Sequence, residues 1–162
     1  MPPCPFPPLR RPGKALDEAE ALDILRRASV ATLACLSPTG YPYAVPLNFV
    51  FAEPAAVYFH CAAEGHKVEA LRSEARVSLA VVGHAQVQPE RFTTSYASVV
   101  VFGRAALVTG AEERRRALMA LVAKYAPDFY EKGRAYVEGY RKPLAVWRVD
   151  VARLTGKRGG AA

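Results

Sequence analysis

Between residues 57 and 71 the chain reads Val-Tyr-Phe-His-Cys-Ala-Ala-Glu-Gly-His-Lys-Val-Glu-Ala-Leu, and this run gathers the side chains best suited to chemistry. An apolar stretch ends in His60 and Cys61. Gly65 then lets the backbone turn tightly, and His66 and Lys67 open a segment whose Val68 and Leu71 face inward. The first turn of a helix offers unpaired amide donors and a partial positive charge, so a phosphate is stabilised there even before Lys67 adds a full charge. Taken alone, Gly-His-Lys is a weak signal, because a solvated lysine at a helix start is the commoner explanation. A lone histidine after an apolar strand is more often a wall residue than a catalyst, yet imidazole changes protonation near neutral pH. His60, Cys61 and His66 are also zinc-type ligands, but no fourth ligand stands at a recognisable spacing, which argues against a metal.

The elements that must position this run can be read on either side of it. Residues 2–13 hold Pro2, Pro3, Pro5, Pro7, Pro8 and Pro12, which cannot sustain a helix or a central strand, so residues 1–13 form a proline-rich arm, extended or disordered. Ala21, Ile24, Leu25 and Ala28 recur at helical spacing, with acids early and Arg26 and Arg27 late, which predicts an amphipathic helix over 16–29. Residues 30–36 read as a strand leading through the turn Ser37-Pro38-Thr39-Gly40 into a second strand over 41–51. In that second strand Tyr41, Tyr43, Val45, Leu47, Phe49 and Phe51 alternate on one face. Pro42 and Pro46 lie on the other parity and lack ladder donors, which marks an edge, a bulge or the approach of a ligand.

Strands are predicted over 56–61, 76–82, 96–108 and 144–154, with Gly103 at a bulge or corner. Helices are predicted over 64–72 and 111–125, with a further short one within 128–140. The polar segment 83–95 reads as a long connection over a site. Together these give a mostly β domain over 14–155, with about six antiparallel strands in a barrel flanked by helices, and a flexible tail over 156–162.

At 162 residues with 51% apolar side chains the chain fits one domain with a sizeable core. Cys4, Cys35 and Cys61 are an odd number without a CxxC or a secretory signal, which points to reduced thiols and a cytoplasmic location; Cys35 in its apolar strand reads as buried and inert. No apolar run reaches the roughly 20 residues of a membrane span. The net charge of +7 invites a nucleic-acid reading, but Lys and Arg are scattered, and Arg114, Arg115 and Arg116 follow Glu112 and Glu113 in a helical pattern, so a preference for small anionic ligands is the better reading.

The run from Tyr58 to Lys67, after Gly40-Tyr41-Pro42-Tyr43 and Pro46-Leu47-Asn48, resembles the FMN-binding split barrels related to pyridoxamine 5′-phosphate oxidase, and within them the nitroimidazole-reductase-like branch. The resemblance extends over roughly residues 16–125. It implies a split β-barrel that binds FMN, with two FMN molecules at the interface of a homodimer. The family's strand-end Tyr-Thr pair and following Ser-Arg-Lys cluster, which grip the FMN phosphate, correspond to His60 and Cys61, then Gly65, His66 and Lys67. Only the lysine is retained literally. Cys61, a weak donor, is expected to give its backbone amide. The family strand that runs along the flavin ring corresponds to Val45, Pro46, Leu47 and Asn48, with Asn48 bonding the ring's polar edge. Ser98, in Ser98-Val99-Val100-Val101-Phe102-Gly103, takes the place of a polar residue near the flavin.

What the resemblance implies is an FMN-dependent oxidoreductase, with His60 at the reaction site, passing electrons from a reduced nicotinamide nucleotide to small substrates such as nitro-aromatic compounds. The absence of Gly-x-Gly-x-x-Gly argues that the nicotinamide docks transiently, and the family's C-terminal Arg-x-His substrate motif has no match after Pro143. A flavin or haem carrier without turnover is the alternative, and a basic nucleic-acid-binding accessory protein the third reading. Trp147 and Arg148 are read as part of a closing strand rather than of the site.

Overall fold

The structure, a computed structural model, describes Phe6 and residues 8–160. Asp17 and Glu20 cap the first helix reciprocally: the Asp17 carboxylate accepts the Glu20 amide at 2.8 Å and the Glu20 carboxylate accepts the Asp17 amide at 3.1 Å. That helix, α1 (Glu18–Arg27), sends Ala21 and Leu25 into the core. β1 (Ala31–Leu36) and β2 (Pro42–Leu47) form the expected hairpin, with the Gly40 amide donating to the Ser37 carbonyl at 2.8 Å and Gly40 at φ +83°. β3 (Val50–Ala52), β4 (Ala56–Ala62), α2 (His66–Ser73) and β5 (Arg76–Gln88) follow. The chain continues through β6 (Thr93–Leu107), α3 (Ala111–Tyr125), α4 (Tyr130–Gly139) and β7 (Leu144–Gly159).

All seven strands join one antiparallel sheet in the order β2-β1-β5-β6-β7-β4-β3. Its two edge strands, β2 and β3, are separated in sequence only by Asn48 and Phe49. A flat sheet would hold those edges about 28 Å apart, whereas the three chain steps from Leu47 to Val50 span at most about 11 Å. The sheet therefore curls until its edges meet, and the fold is a split β-barrel. Leu33, Phe49, Phe59, Leu79, Val99, Val101 and Trp147 fill the interior.

Tyr125, the last residue of α3, pins the corner. Its hydroxyl accepts the Phe49 amide at 2.9 Å, and its one proton lies between the Phe49 and Ser29 carbonyls, each 2.7 Å away. Asn48 adds a bond from Nδ2 to the same Ser29 carbonyl at 2.9 Å. Main-chain groups that leave the ladder at the seam are thereby satisfied by side chains.

Three boundaries differ from the sequence reading. The predicted strand over 41–51 breaks at the corner, which raises the strand number to seven. β5 runs on to Gln88 and pairs with β6 through Gln88 opposite Thr93, so the expected connection over 83–95 is a hairpin arm with a short turn at Pro89–Arg91. Its polar residues are tolerated because both faces of the arm are largely solvated. β7 continues to Gly159, where 156–159 were expected to be tail, because the start of β6 offers them a partner. Gly103 sits at a register shift as predicted, and a Cβ there would collide with the Asp150 carbonyl. Most of the proline arm, including Cys4, lies outside the described residues; Phe6 packs on Phe102 with ring centres 5.1 Å apart. Among the described residues no helix is long and apolar enough to cross a membrane.

Replacing Tyr125 by Phe leaves the Phe49 amide and one corner carbonyl without partners. The expected loss is about 1–3 kcal/mol, read as a lower urea midpoint with an unchanged slope; an unaltered midpoint would show that the corner holds without the hydroxyl.

Candidate functional site

The β1–β2 register sets Thr32 opposite Pro46 and Leu36 opposite Pro42. Proline has no amide to donate, so the ladder bonds must be made by Tyr43, Val45 and Leu47; the Ser37 amide bonded to the Tyr41 carbonyl at 2.9 Å has the same phase. The main-chain groups of Pro42, Ala44 and Pro46 therefore face away from β1. Among the described residues no strand pairs with that side of β2, which is left with three carbonyl acceptors and the single Ala44 amide donor.

A second unpaired edge begins where β3 ends. Val50 lies opposite Tyr58, and continuing that register by two residues sets Asn48 abreast of His60. The Val151 amide bonds the Ala55 carbonyl at 2.9 Å, which fixes the alternation on the other side of β4: odd-numbered residues bond β7 and even-numbered ones face β3. Past β3 the main chains of His60 and Ala62 therefore face open space. The chain then turns through Gly65, at φ +122°, into α2. No side chain caps this helix, so its first amides keep their donors, and Lys67 stands in its first turn.

A side-chain contact brings β2 up to this helix start. The His66 ring stands edge-on against Tyr43 of β2 with ring centres 4.5 Å apart. Lys67 is close enough to influence the His60 imidazole and the thiols of Cys35 and Cys61. His60 keeps an exposed surface toward the cavity, but the shielding of the rest of its ring, reinforced by the Lys67 ammonium, pushes the imidazole below its ordinary range. Burial raises both thiols, against the opposing pull of Lys67, so Cys35 and Cys61 remain protonated at neutral pH.

Outside the barrel, α3 lies over β4 and β7. Glu113 accepts from the Tyr58 hydroxyl at 2.9 Å and from Arg148 Nη1 at 2.8 Å, and Arg148 together with Tyr58 holds the Glu113 carboxyl below the usual carboxylate range. Between this helix, α4 and the end of β4 is a cavity of about 350 Å³ whose lining includes both Asn48 and His60.

The model of the family described as pyridoxamine 5′-phosphate oxidase matches residues 17–158. The chain belongs to that family. Its fold is the FMN-binding split barrel. Among solved structures, the chain is similar to a provisionally assigned 5-nitroimidazole antibiotic resistance protein from Bacteroides thetaiotaomicron, with 25% identity and a TM-score of 0.72 over 89% of this chain and 86% of that one. It is also similar in fold to an FAD-binding protein from Mesorhizobium loti, with 24% identity and a TM-score of 0.63 over 91% and 98% of the two chains. A flavocytochrome from Azotobacter vinelandii shares the fold as well, with 22% identity and a TM-score of 0.76 over 95% and 73%. No curated protein matches.

For a member of this family the predicted residues are arranged unevenly. Val45, Pro46, Leu47 and Asn48 occupy β2 and the corner; Leu47 is buried, Val45 half-buried, and Pro46 and Asn48 exposed. Asn48 donates Nδ2 to the Ser29 carbonyl and is among the residues that line the cavity. Gly65, His66 and Lys67 stand together at the start of α2, whereas His60, within the electrostatic reach of Lys67, faces the α3–α4 cavity. Cys61 differs: its side chain points into the barrel beside Trp147, and the alternation fixed at Ala55 puts its amide in the β4–β7 ladder. The free amides at this point belong to His60 and Ala62 instead. Ser98 lies on the outer face of β6, three strands from β2, and so stands apart from the others within one chain. Trp147 is buried in the core beside Cys61, and Arg148 is engaged by Glu113 and Asp150.

Sequence reasoning missed the roof. Tyr125, Tyr136 and Tyr140 line the cavity with residues of α3 and α4. The i,i+4 spacing of Tyr136 and Tyr140 was the available signal, since it puts both rings on one helix face.

Because the fold favours neutral His60, its contribution to stability is complete above the unfolded value near pH 6.5 and is lost as pH falls through the lower folded value. NMR titration of the three histidines should place His60 below about 6.5. Lys67→Met should move that midpoint upward; a midpoint indifferent to the lysine would separate the two groups.

Proposed function

We propose that this chain binds FMN between the open edge of β2 and the start of α2 and works as a cytoplasmic, homodimeric flavin-dependent oxidoreductase. The observation that carries this reading is the coincidence of two features at one place: an unpaired strand edge and an uncapped helix start bearing Lys67. A planar ring system with donors and acceptors on its rim suits the former, and a phosphate suits the latter. These residues fit the group. In this reading Lys67, His66 and the first amides of α2 hold the phosphate, while the Pro42, Ala44 and Pro46 main chain and Asn48 position the ring.

When bound, the flavin supplies the electron transfer; the chain supplies orientation, shielding from water and proton handling. The lowered proton affinity of His60 favours the neutral ring, with an N–H on one of Nδ1 and Nε2 and a free nitrogen at the other, so the ring can donate a hydrogen bond to a substrate in the cavity or relay a proton to it, taking one from water at the free nitrogen as it gives one up. The substrates are small reducible molecules such as nitro-aromatic compounds, and a reduced nicotinamide nucleotide is the electron donor.

The outer face of β1, β2 and β5 supports association with a second copy. Thr32, Ala44, Pro46, Ala80 and Val82 are all exposed there, a sheet face of small and apolar residues without a charge among them. Ser98 borders this face beside Val82 and would reach a flavin across such an interface rather than within its own chain.

Two measurements test the reading. Lys67→Ala should weaken FMN binding by about 1.5–3 kcal/mol, the worth of one charge-assisted hydrogen bond, with partial recovery in Lys67→Arg; unchanged affinity in a fluorescence titration would put the phosphate elsewhere. Ala80→Arg should give a monomer in sedimentation and a lowered flavin content. An unchanged mass would remove the β5 face from the interface.

A further inference from the structure

The cavity beside His60 differs in character from the phosphate end of the site. Asn48 and His60 form its polar floor, Leu118 and Val122 of α3 one wall, and Tyr136 and Tyr140 of α4 the roof. No Asp, Glu, Lys or Arg lines it. Although the chain carries 22 basic residues, none is among the lining residues; Arg114 and Arg141 touch only the main-chain oxygens of Leu144 and Tyr140, so an anion here exchanges part of its water for uncharged side chains. An aromatic ring would lose nothing of that kind and would gain apolar and tyrosine contacts.

Size and roof geometry narrow the occupant. A closed cavity of about 150 Å³ already accepts benzene, so about 350 Å³ accommodates one or two fused rings with substituents. The roof depends on Gly133, where a Cβ would fall inside the Val122 side chain; the missing side chain lets α4 lie close on α3. α4 itself buries no residue, and Tyr136 is 67% exposed, so the roof is thin and reachable by mutation without disturbing the core.

From this arrangement we infer that the α3–α4 chamber selects neutral planar aromatic substrates and rejects their anionic analogues, with Tyr136 and Tyr140 as the residues that set the preference. The polar edge of such a substrate meets Asn48 and the His60 ring, and its faces meet Val122 and the tyrosines. This inference rests on the oxidoreductase reading for its use in turnover, but binding to the chamber can be measured without turnover.

The test uses the purified full chain with nitrobenzene and 4-nitrobenzoate as probes, titrated by ligand-observed NMR, while visible absorption records the flavin content of the same samples. Nitrobenzene should bind at least about tenfold more tightly than 4-nitrobenzoate. Tyr136→Ala should weaken nitrobenzene about fivefold or more without altering flavin content, and Tyr136→Lys should shift the preference toward the carboxylate by placing an ammonium in the roof. Equal affinity for the two probes, no binding of either at millimolar concentration, or an unmoved preference in Tyr136→Lys would each overturn the inference. Discrimination by a protein that holds no flavin would uphold the chamber and remove the cofactor reading, whereas flavin retained without discrimination would do the reverse.

Discussion

Everything in this molecule depends on the two-residue passage from β2 to β3. A sheet whose two edge strands are joined only by Asn48 and Phe49 has no choice but to curl, and curling strips main-chain groups of strand partners where the edges meet. Burying those groups unpaired would cost about 1–3 kcal/mol each. Tyr125 and Asn48 remove that cost by bonding Phe49 and Ser29, and they do so from α3 and from the corner itself. The same contact anchors the last residue of α3 to the corner, and the short turn at Pro127–Phe129 then leads into α4. Barrel closure and the roof of the cavity are thus one arrangement.

The seam also explains why a binding region exists at all. β3 is only three residues long, so it covers β4 from Ala56 to Tyr58 and then leaves His60 and Ala62 open. β2 cannot recruit a further strand on its outer side with full bonding, because two of its three outward positions are proline. A strand is thereby excluded from a place that remains hydrogen-bonding in character. Prolines in an otherwise good strand often serve to block aggregation at an edge; here they also leave an edge rich in acceptors beside a helix start rich in donors.

Much of this was legible in the sequence, and the reasons are local. The alternation of Tyr43, Val45, Leu47 and Phe49 fixed the inward face of β2, the Asp17/Glu20 pair fixed the start of α1, and Pro127 fixed the end of α3. Gly65 before His66 and Lys67 marked a helix start that the structure bears out, though two residues later than expected. The misses came from tertiary pairing. Residues 83–95 are polar enough to read as loop, yet each half supplies the other with a hydrogen-bonding partner, so β5 and β6 run on beyond the barrel. The strand over 41–51 carries unbroken alternation through the corner, since inward residues stay inward while the sheet turns. Cys61 shows a further limit: adjacency in sequence put it with His60, but neighbours on a strand point to opposite faces, and only the register with β7 reveals which one faces the barrel interior.

The charge distribution follows from the same geometry. Lys67 lies on the barrel-mouth side of β4, where α2 enters the core through Val68 and Leu71, whereas His60 points to the side covered by α3. One strand therefore separates the Lys67 ammonium from the uncharged cavity lining, and burial, with a smaller contribution from Lys67, disfavours a proton on the His60 imidazole. The lysine favours an anion on its own side, and it adds to burial in disfavouring a proton on His60. A histidine flanked instead by a carboxylate would be cationic at neutral pH and would make the α3–α4 chamber attractive to anions. The absence of any acidic residue from the chamber lining is what preserves the contrast.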